Sequence, residues 1–396
     1  MQPTRIYLDN NATTRMDPRV AAAMNAIFSQ KLANPASQHH EGRNARFVLE
    51  SSRTSIAKGL GCRTQGMGAD QVLFTSGGTE ANNLAIFGLL EGIEGDLVVS
   101  AIEHPSVLGA ADEIAKRGNR RVRYLPVDVQ GRASIATWNH WLSEHREAVA
   151  LGQIERRIGL VSLMIANNET GVLQPVDEII HSAHSNGILV HTDAVQAIGK
   201  IPIRFESLNV DAMTVTAHKL HGPVGVGALI LKEHLAPSPQ LYGGFQQLGM
   251  RPGTESVVLA AGFSTAVQIA IENIDHRNNQ LKLLRQQFED LLFANPRRPT
   301  IVSSDVPRMP HTISLAYPGI ERQVLQMALD REGIACSTGS ACASGSGQPS
   351  HVLQAMGVAE PILRGAIRLS LSVETTQDEI IDAAKRISRA ANRFPV

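Results

Sequence analysis

Cysteine is scarce in this chain: Cys62, Cys336 and Cys342 are all that its 396 residues hold. Three thiols cannot build the disulfide framework of a small secreted domain, so a reduced, cytoplasmic setting is expected. Cys336 and Cys342 stand six positions apart, a spacing that does not fit zinc, and no metal is expected. An excess of charge is also missing. Lysine plus arginine and aspartate plus glutamate number 37 each, for a formal net charge of zero. That balance leaves no basic stripe for nucleic acid and no cationic face for a membrane. No apolar run approaches the roughly 20 residues that span a bilayer, and Met1–Ile6 lacks the basic-then-apolar pattern of a signal peptide. Aromatic residues are only 4%, too few for an aromatic-rich binding surface.

The apolar fraction of 43% is that of an ordinary globular protein, and the length exceeds what one core usually fills, which predicts two domains. Between about residues 70 and 235, short apolar runs alternate with helix-like stretches. Strands are predicted at Val72–Thr75, Leu97–Ala101, Arg121–Leu125, Gly159–Ala166, Ile188–Thr192, Ala212–Thr216 and Gly227–Leu231. Continuous apolar runs indicate burial on both faces, and alternation with helices predicts a mostly parallel α/β sheet. Ligands of such sheets lie at the carboxyl ends of the strands. Thr254–Phe293 reads as one long helical region linking two domains. Beyond it come a strand at Thr312–Ala316, a helix from Glu321, a strand near Ile367–Leu371 and a last helix opened by the capping box Thr376–Glu379.

Three strand ends carry chemistry. Thr75-Ser76-Gly77-Gly78-Thr79-Glu80 follows a strand and opens a helix; its glycines and free N–H groups suit a phosphate, although a plain capped turn has the same look. The apolar run ending in Asp193 leaves a carboxylate at a buried edge, either as a helix cap or as the partner of a cation such as a protonated pyridine ring. The run Ala212–Thr216 leads into His218-Lys219, and a lysine there is either solvated or an amine available to a carbonyl group. In this order, at these ends, the three read together as the site of a cofactor carried on a lysine.

The chain resembles the class V group of fold-type I pyridoxal-phosphate enzymes, and within it the NifS/IscS-type cysteine desulfurases. The residues that carry the likeness are Tyr7–Thr14, Asn34–Ser37, Ser76–Glu80, Glu103-His104, Asn167–Gly171, Asp193–Gln196, Ala217–Lys219, Arg251–Thr254, Gly339–Cys342 and Arg368–Ser370. It implies a large, mostly parallel sheet domain over 15–258. A smaller α+β domain would follow from 1–14 and 259–396, bearing a loop at about 334–350. It implies pyridoxal 5'-phosphate attached to Lys219, its ring nitrogen paired with Asp193, His104 stacked on the ring and Gln196 bonded to the ring hydroxyl. Gly78, Thr79, Thr216 and His218 would hold the phosphate, with Thr254 reaching in from the second subunit of a homodimer. Asn168 and Arg368 would clamp the substrate carboxylate, a task suited to the planar guanidinium.

Cys342 names the expected reaction, since the cofactor residues serve many. It lies in Ser337–Gly347, a stretch of small residues that cannot bury apolar area and so predicts a mobile loop. Thiolate is a soft nucleophile near neutral pH, and a loop can reach both substrate and acceptor. The resemblance thus implies that L-cysteine becomes L-alanine while its sulfur passes to Cys342 as a persulfide. From there it would go to a sulfur-acceptor protein such as an iron–sulfur scaffold. The competing readings are a selenocysteine lyase and a class V aminotransferase. Cys336 reads as a buried small hydrophobe. Val224 replaces a commoner lysine, and the charged segment 152–157 looks inserted.

Overall fold

Strands without polar alternation need cover on both faces, and this requirement shapes the whole molecule. The computed structural model describes residues 4–118, 120–339 and 348–395. Among them the strands are β1 (Ile6–Tyr7), β2 (Gln71–Thr75), β3 (Asp96–Ser100), β4 (Val122–Leu125), β5 (Ile158–Ser162), β6 (Leu189–Asp193), β7 (Ala212–Thr216), β8 (Gly227–Leu231), β9 (Thr300–Ile301), β10 (Thr312–Ala316), β11 (Ile334–Ala335) and β12 (Ala366–Ser370). Seven form one sheet in the order β2-β8-β7-β6-β5-β3-β4, with β8 antiparallel to both neighbours and the other pairs parallel. The carboxyl ends of β2, β3, β5, β6 and β7 therefore open on one edge.

One apolar cluster fills the face beneath helices His40–Gly59 and Val257–Ile271, around Phe74, Met213 and Phe263. Another lies beneath helices Gly78–Glu91 and Pro105–Arg117. A third cluster gathers Ile6, Phe288, Ile313, Leu369 and Ile387 around the small sheet β12-β10-β9. The last helix, Gln377–Ala391, has its capping box: Glu379 N–H donates to Thr376 Oγ1 and Thr376 N–H to Glu379 Oε2.

Two expectations need correction. The run predicted as Gly159–Ala166 is strand only to Ser162, after which the chain turns toward Asn167. The region Thr254–Phe293 is two helices, Val257–Ile271 and Ile274–Phe293, bent by 72°. Glu272 between them is extended and Asn273 takes a left-handed φ of 55°, which asparagine tolerates and a helix cannot continue. No single helix among the described residues is long and apolar enough to cross a membrane.

His191, fully buried in β6, ties three strands together. Its Nδ1 lies 2.8 Å from Ser162 Oγ of β5 and its Nε2 3.0 Å from Thr214 Oγ1 of β7. Two rotating hydroxyls suit a neutral ring, which accepts at one nitrogen and donates at the other. Burial pushes its pKa down to about 4. In the unfolded chain the ring returns to about 6.5. Between those values only the unfolded state binds the proton, so stability falls as pH drops from 6.5 to 4. His191→Asn is expected to remove about 3 kcal/mol of that pH-dependent loss, as read from urea unfolding at pH 7 and pH 4.

Candidate functional site

The carboxyl edge of the sheet encloses a cavity of about 490 Å³. Gly78, Thr79, His104, Asn168, Asp193, Gln196, Thr216, His218, Lys219 and Arg368 all line it. The turn after β2 delivers the start of helix Gly78–Glu91, whose free N–H groups have no side-chain cap, leaving them to an anion. The phosphate turn is backed tightly by β8: a Cβ on Gly227 would lie 2.8 Å from the carbonyl carbon of Gly77. Glycine there is a packing requirement.

Asp193 ends β6 with 7% exposure. Its Oδ1 accepts Val195 N–H at 2.9 Å and its Oδ2 accepts Asn82 Nδ2 at 2.8 Å. It thus caps a turn, not a helix, and its second oxygen is fixed across the cavity wall. The other hydrogen of Asn82 Nδ2 goes to Ser106 Oγ at 2.9 Å, and Ser106 Oγ lies 2.8 Å from His104 Nδ1. His104 Nδ1 also accepts Ser106 N–H at 3.1 Å, capping helix Pro105–Arg117. A backbone N–H only donates, so Nδ1 is unprotonated and the hydrogen sits on Nε2. Burial, reinforced by Lys219 and His351 against the pull of Asp193, lowers its pKa. His104 thus caps a helix through Nδ1 while its side chain lines the cavity. Asn82 and Ser106, which join the two, carried no signal in the sequence.

Lys219 Nζ donates to the carbonyls of Asn11 and Ala12, each at 2.6 Å. It is an amine held inside the site, not a solvated loop lysine. Asn11 in turn donates to Asn168 O and Thr312 Oγ1, and its Oδ1 meets His311 Nε2 at 2.7 Å. Gln196 Nε2 donates to Asn11 O at 3.1 Å. Beside Lys219, His218 lies with Nδ1 3.3 Å from Thr13 Oγ1. Burial, then Lys219, pushes its pKa down to about 4, so it meets an anion as a neutral donor.

Arg368 in β12 is an ion pair, but a buried one at 2% exposure. Nη2 donates to Asp9 Oδ1 at 2.7 Å, and Nη1 to Asn168 O at 2.9 Å and Gly339 O at 3.1 Å. Its Nε is buried as well, with no partner among the described residues. Glu169 Oε2 accepts Ser350 Oγ–H at 2.5 Å. His351, at the cavity rim, donates from Nε2 to Glu103 O at 3.0 Å. Cys342 lies outside the described residues. Thr254 does not reach this cavity in its own subunit; it lines a smaller one with Ser76 and Arg251. Burial pushes the thiols of Cys62 and Cys336 up to about 12, so neither is a ready nucleophile.

An amine, a fixed carboxylate, an uncapped helix start and a guanidinium form a donor set that suits pyridoxal phosphate and an amino-acid carboxylate together. The described residues fit that group. Lys219 would hold it, Asp193 would pair with its ring nitrogen, and Gly78, Thr79, Thr216 and His218 would take its phosphate.

Known proteins resemble the chain over nearly its whole length. The family model for aminotransferase class-V matches residues 6–382. A cysteine desulfurase of Cereibacter sphaeroides is 39% identical over 378 residues, covering 95% of this chain and 93% of its own length. The cysteine desulfurase NifS of Azotobacter vinelandii is 37% identical over 377 residues, covering 95% and 90%. The solved structure of a NifS-like protein from Rickettsia africae superposes with a TM-score of 0.86 at 33% identity, covering 98% of this chain and 99% of its own.

The bridge from Asp193 to His104 makes a separable prediction. Asn82→Ala leaves the buried Asp193 Oδ2 without its side-chain donor and is expected to cost about 1–3 kcal/mol in urea unfolding. Ser106→Ala keeps the Asn82–Asp193 bond and is expected to cost less, about 1 kcal/mol.

Proposed function

Since the chain belongs to the class V aminotransferase family, we propose that it is a pyridoxal-phosphate cysteine desulfurase. It converts L-cysteine to L-alanine and passes the sulfur to Cys342. The observation that carries this reading is the convergence of Lys219, Asp193 and Arg368 on one cavity, from the turn after β7, from β6 and from β12. The names of relatives sharing more than a third of the residues over most of the chain support it.

When bound, pyridoxal phosphate draws off the electron pair left at the substrate α-carbon. The chain does the rest. Arg368 and Asn168 fix the substrate carboxylate, so the amino group faces Lys219. Lys219 holds the cofactor at rest. Once released, its amine takes the proton from the α-carbon and returns it. Asp193, anchored through Asn82, keeps the ring nitrogen protonated. Neutral His104, with its hydrogen on Nε2, passes a proton at the substrate side chain. The Cys342 thiolate attacks the substrate sulfur. A new S–S bond forms as the Cβ–S bond breaks. Its electron pair stays on Cβ, which takes a proton to become the methyl group of alanine, and Cys342 is left as a persulfide.

The reading extends to a homodimer in which Thr254 completes the phosphate site of the other subunit. Two features support it. Thr254 lies outside its own subunit's cavity, and Phe245 and Leu248, 94% and 79% exposed, wall a separate cavity of about 610 Å³. Large apolar side chains left bare in this way mark an interface. The acceptor of the persulfide sulfur is a protein such as an iron–sulfur scaffold, and the compartment is the cytoplasm.

Cys342→Ser is expected to keep the visible spectrum of the cofactor-loaded protein and its change on adding L-cysteine. Its alanine production should fall at least about a thousandfold. Full turnover in that variant would remove Cys342 from the reaction. Lys219→Ala is expected to lose the cofactor linkage that borohydride traps; mass spectrometry finding it on another lysine moves the attachment point. Transfer of the amino group to an oxo-acid, without sulfane sulfur, would establish an aminotransferase instead.

A further inference from the structure

Behind the cavity wall lies a lysine that no step above uses. Lys200 is 8% exposed and does not line the cavity. Its Nζ donates to Gln196 O at 3.2 Å and to Gln196 Oε1 at 3.3 Å. Asn278 Nδ2, from helix Ile274–Phe293, donates to its carbonyl at 2.9 Å and holds its backbone. Among the described residues it has no ion pair. Burial, followed by Lys219 and Arg368, which share its sign, presses its pKa down to about 7. The titratable rings that sense it, His218, His221 and His311, are basic as well. A buried amine with only like-signed neighbours is costly, so its place calls for a compensating use.

The amide of Gln196 supplies one. Asn11 O only accepts, so the Gln196 atom 3.1 Å from it is the nitrogen, and the oxygen is the end turned to Lys200. The cavity-facing end of Gln196 is thereby a donor. We infer that Lys200 is a positioning residue: it locks the Gln196 amide so that N–H, never the carbonyl oxygen, meets the anionic oxygen of a bound cofactor ring. This rests on the cofactor site proposed above. Without Lys200 only the Asn11 carbonyl opposes a turn of the amide, and a turned amide sets its oxygen against the anion. The second, longer-range effect has the same sign. A cation behind the wall favours an anionic oxygen and opposes protonation of the neighbouring linkage to Lys219.

The test uses the full-length protein with added pyridoxal phosphate, in wild type, Lys200→Met, Gln196→Leu and the double variant. Removing a buried, uncompensated amine should leave the empty Lys200→Met chain no less stable than wild type in thermal unfolding. Cofactor retention in that variant should weaken about tenfold, and the pH midpoint of its visible band should rise by about one unit. In the double variant, retention should match Gln196→Leu alone, because the lysine acts through that amide. Additive losses, a wild-type affinity and midpoint in Lys200→Met, or an empty variant chain that unfolds more readily than wild type each overturn the proposal. A wild-type protein that takes up no pyridoxal phosphate overturns the cofactor site itself, and Lys200's part falls with it.

Discussion

A guanidinium taken out of water needs acceptors for its charge, and burying Arg368 draws separate parts of this molecule together. Its partners are Asp9 from the amino-terminal segment, Asn168 from the turn beyond β5 and Gly339 from the stretch after β11. The strand that bears it, β12, belongs to the small sheet, while Asn168 belongs to the large one's open edge. One side chain therefore sets the spacing between two sheets, and the cavity is the gap it holds open. The Gly339 contact also ties the arginine to the segment leading to Cys342, three residues farther on.

Electrostatically, the floor and wall of the cavity differ. Lys219, Lys200 and Arg368 lie close enough to depress one another's neighbours, while Asp193 stands opposite, held by Asn82 and Val195 N–H. Histidines in between are kept neutral by burial. They act as oriented donors without adding to the positive charge. Such a cavity favours an occupant that is anionic at several points and cationic at one, the charge pattern of a phosphorylated pyridinium aldehyde with an amino acid.

Much of this was legible from residue order. The inner sheet strands follow from mainly apolar runs, because burial on both faces leaves that pattern, whereas β4 at the edge, with Arg123 and an exposed Tyr124, alternates. Asp193 and Lys219 stood out because a charge at the end of such a run needs a reason. The bend at Asn273 did not, since a single left-handed residue interrupts an apolar helical pattern without altering its composition. Asn82, Ser106 and Lys200 were hidden for another cause. Each acts through a neighbour brought close by tertiary folding, and nothing in local spacing marks an asparagine on a helix as the support of a carboxylate 111 positions away. Cys342 was the reverse case, conspicuous in sequence while lying outside the described residues.

The two carbonyls that grip Lys219 belong to Asn11 and Ala12, and the guanidinium facing it belongs to residue 368. The pocket is thus closed by pieces far apart along the sequence. A nascent chain still on the ribosome can complete the seven-stranded sheet, since its last strand ends at Leu231, and yet present only half an enclosure. The enclosure is thereby left incomplete until β12 has been made and Arg368 has joined the fold.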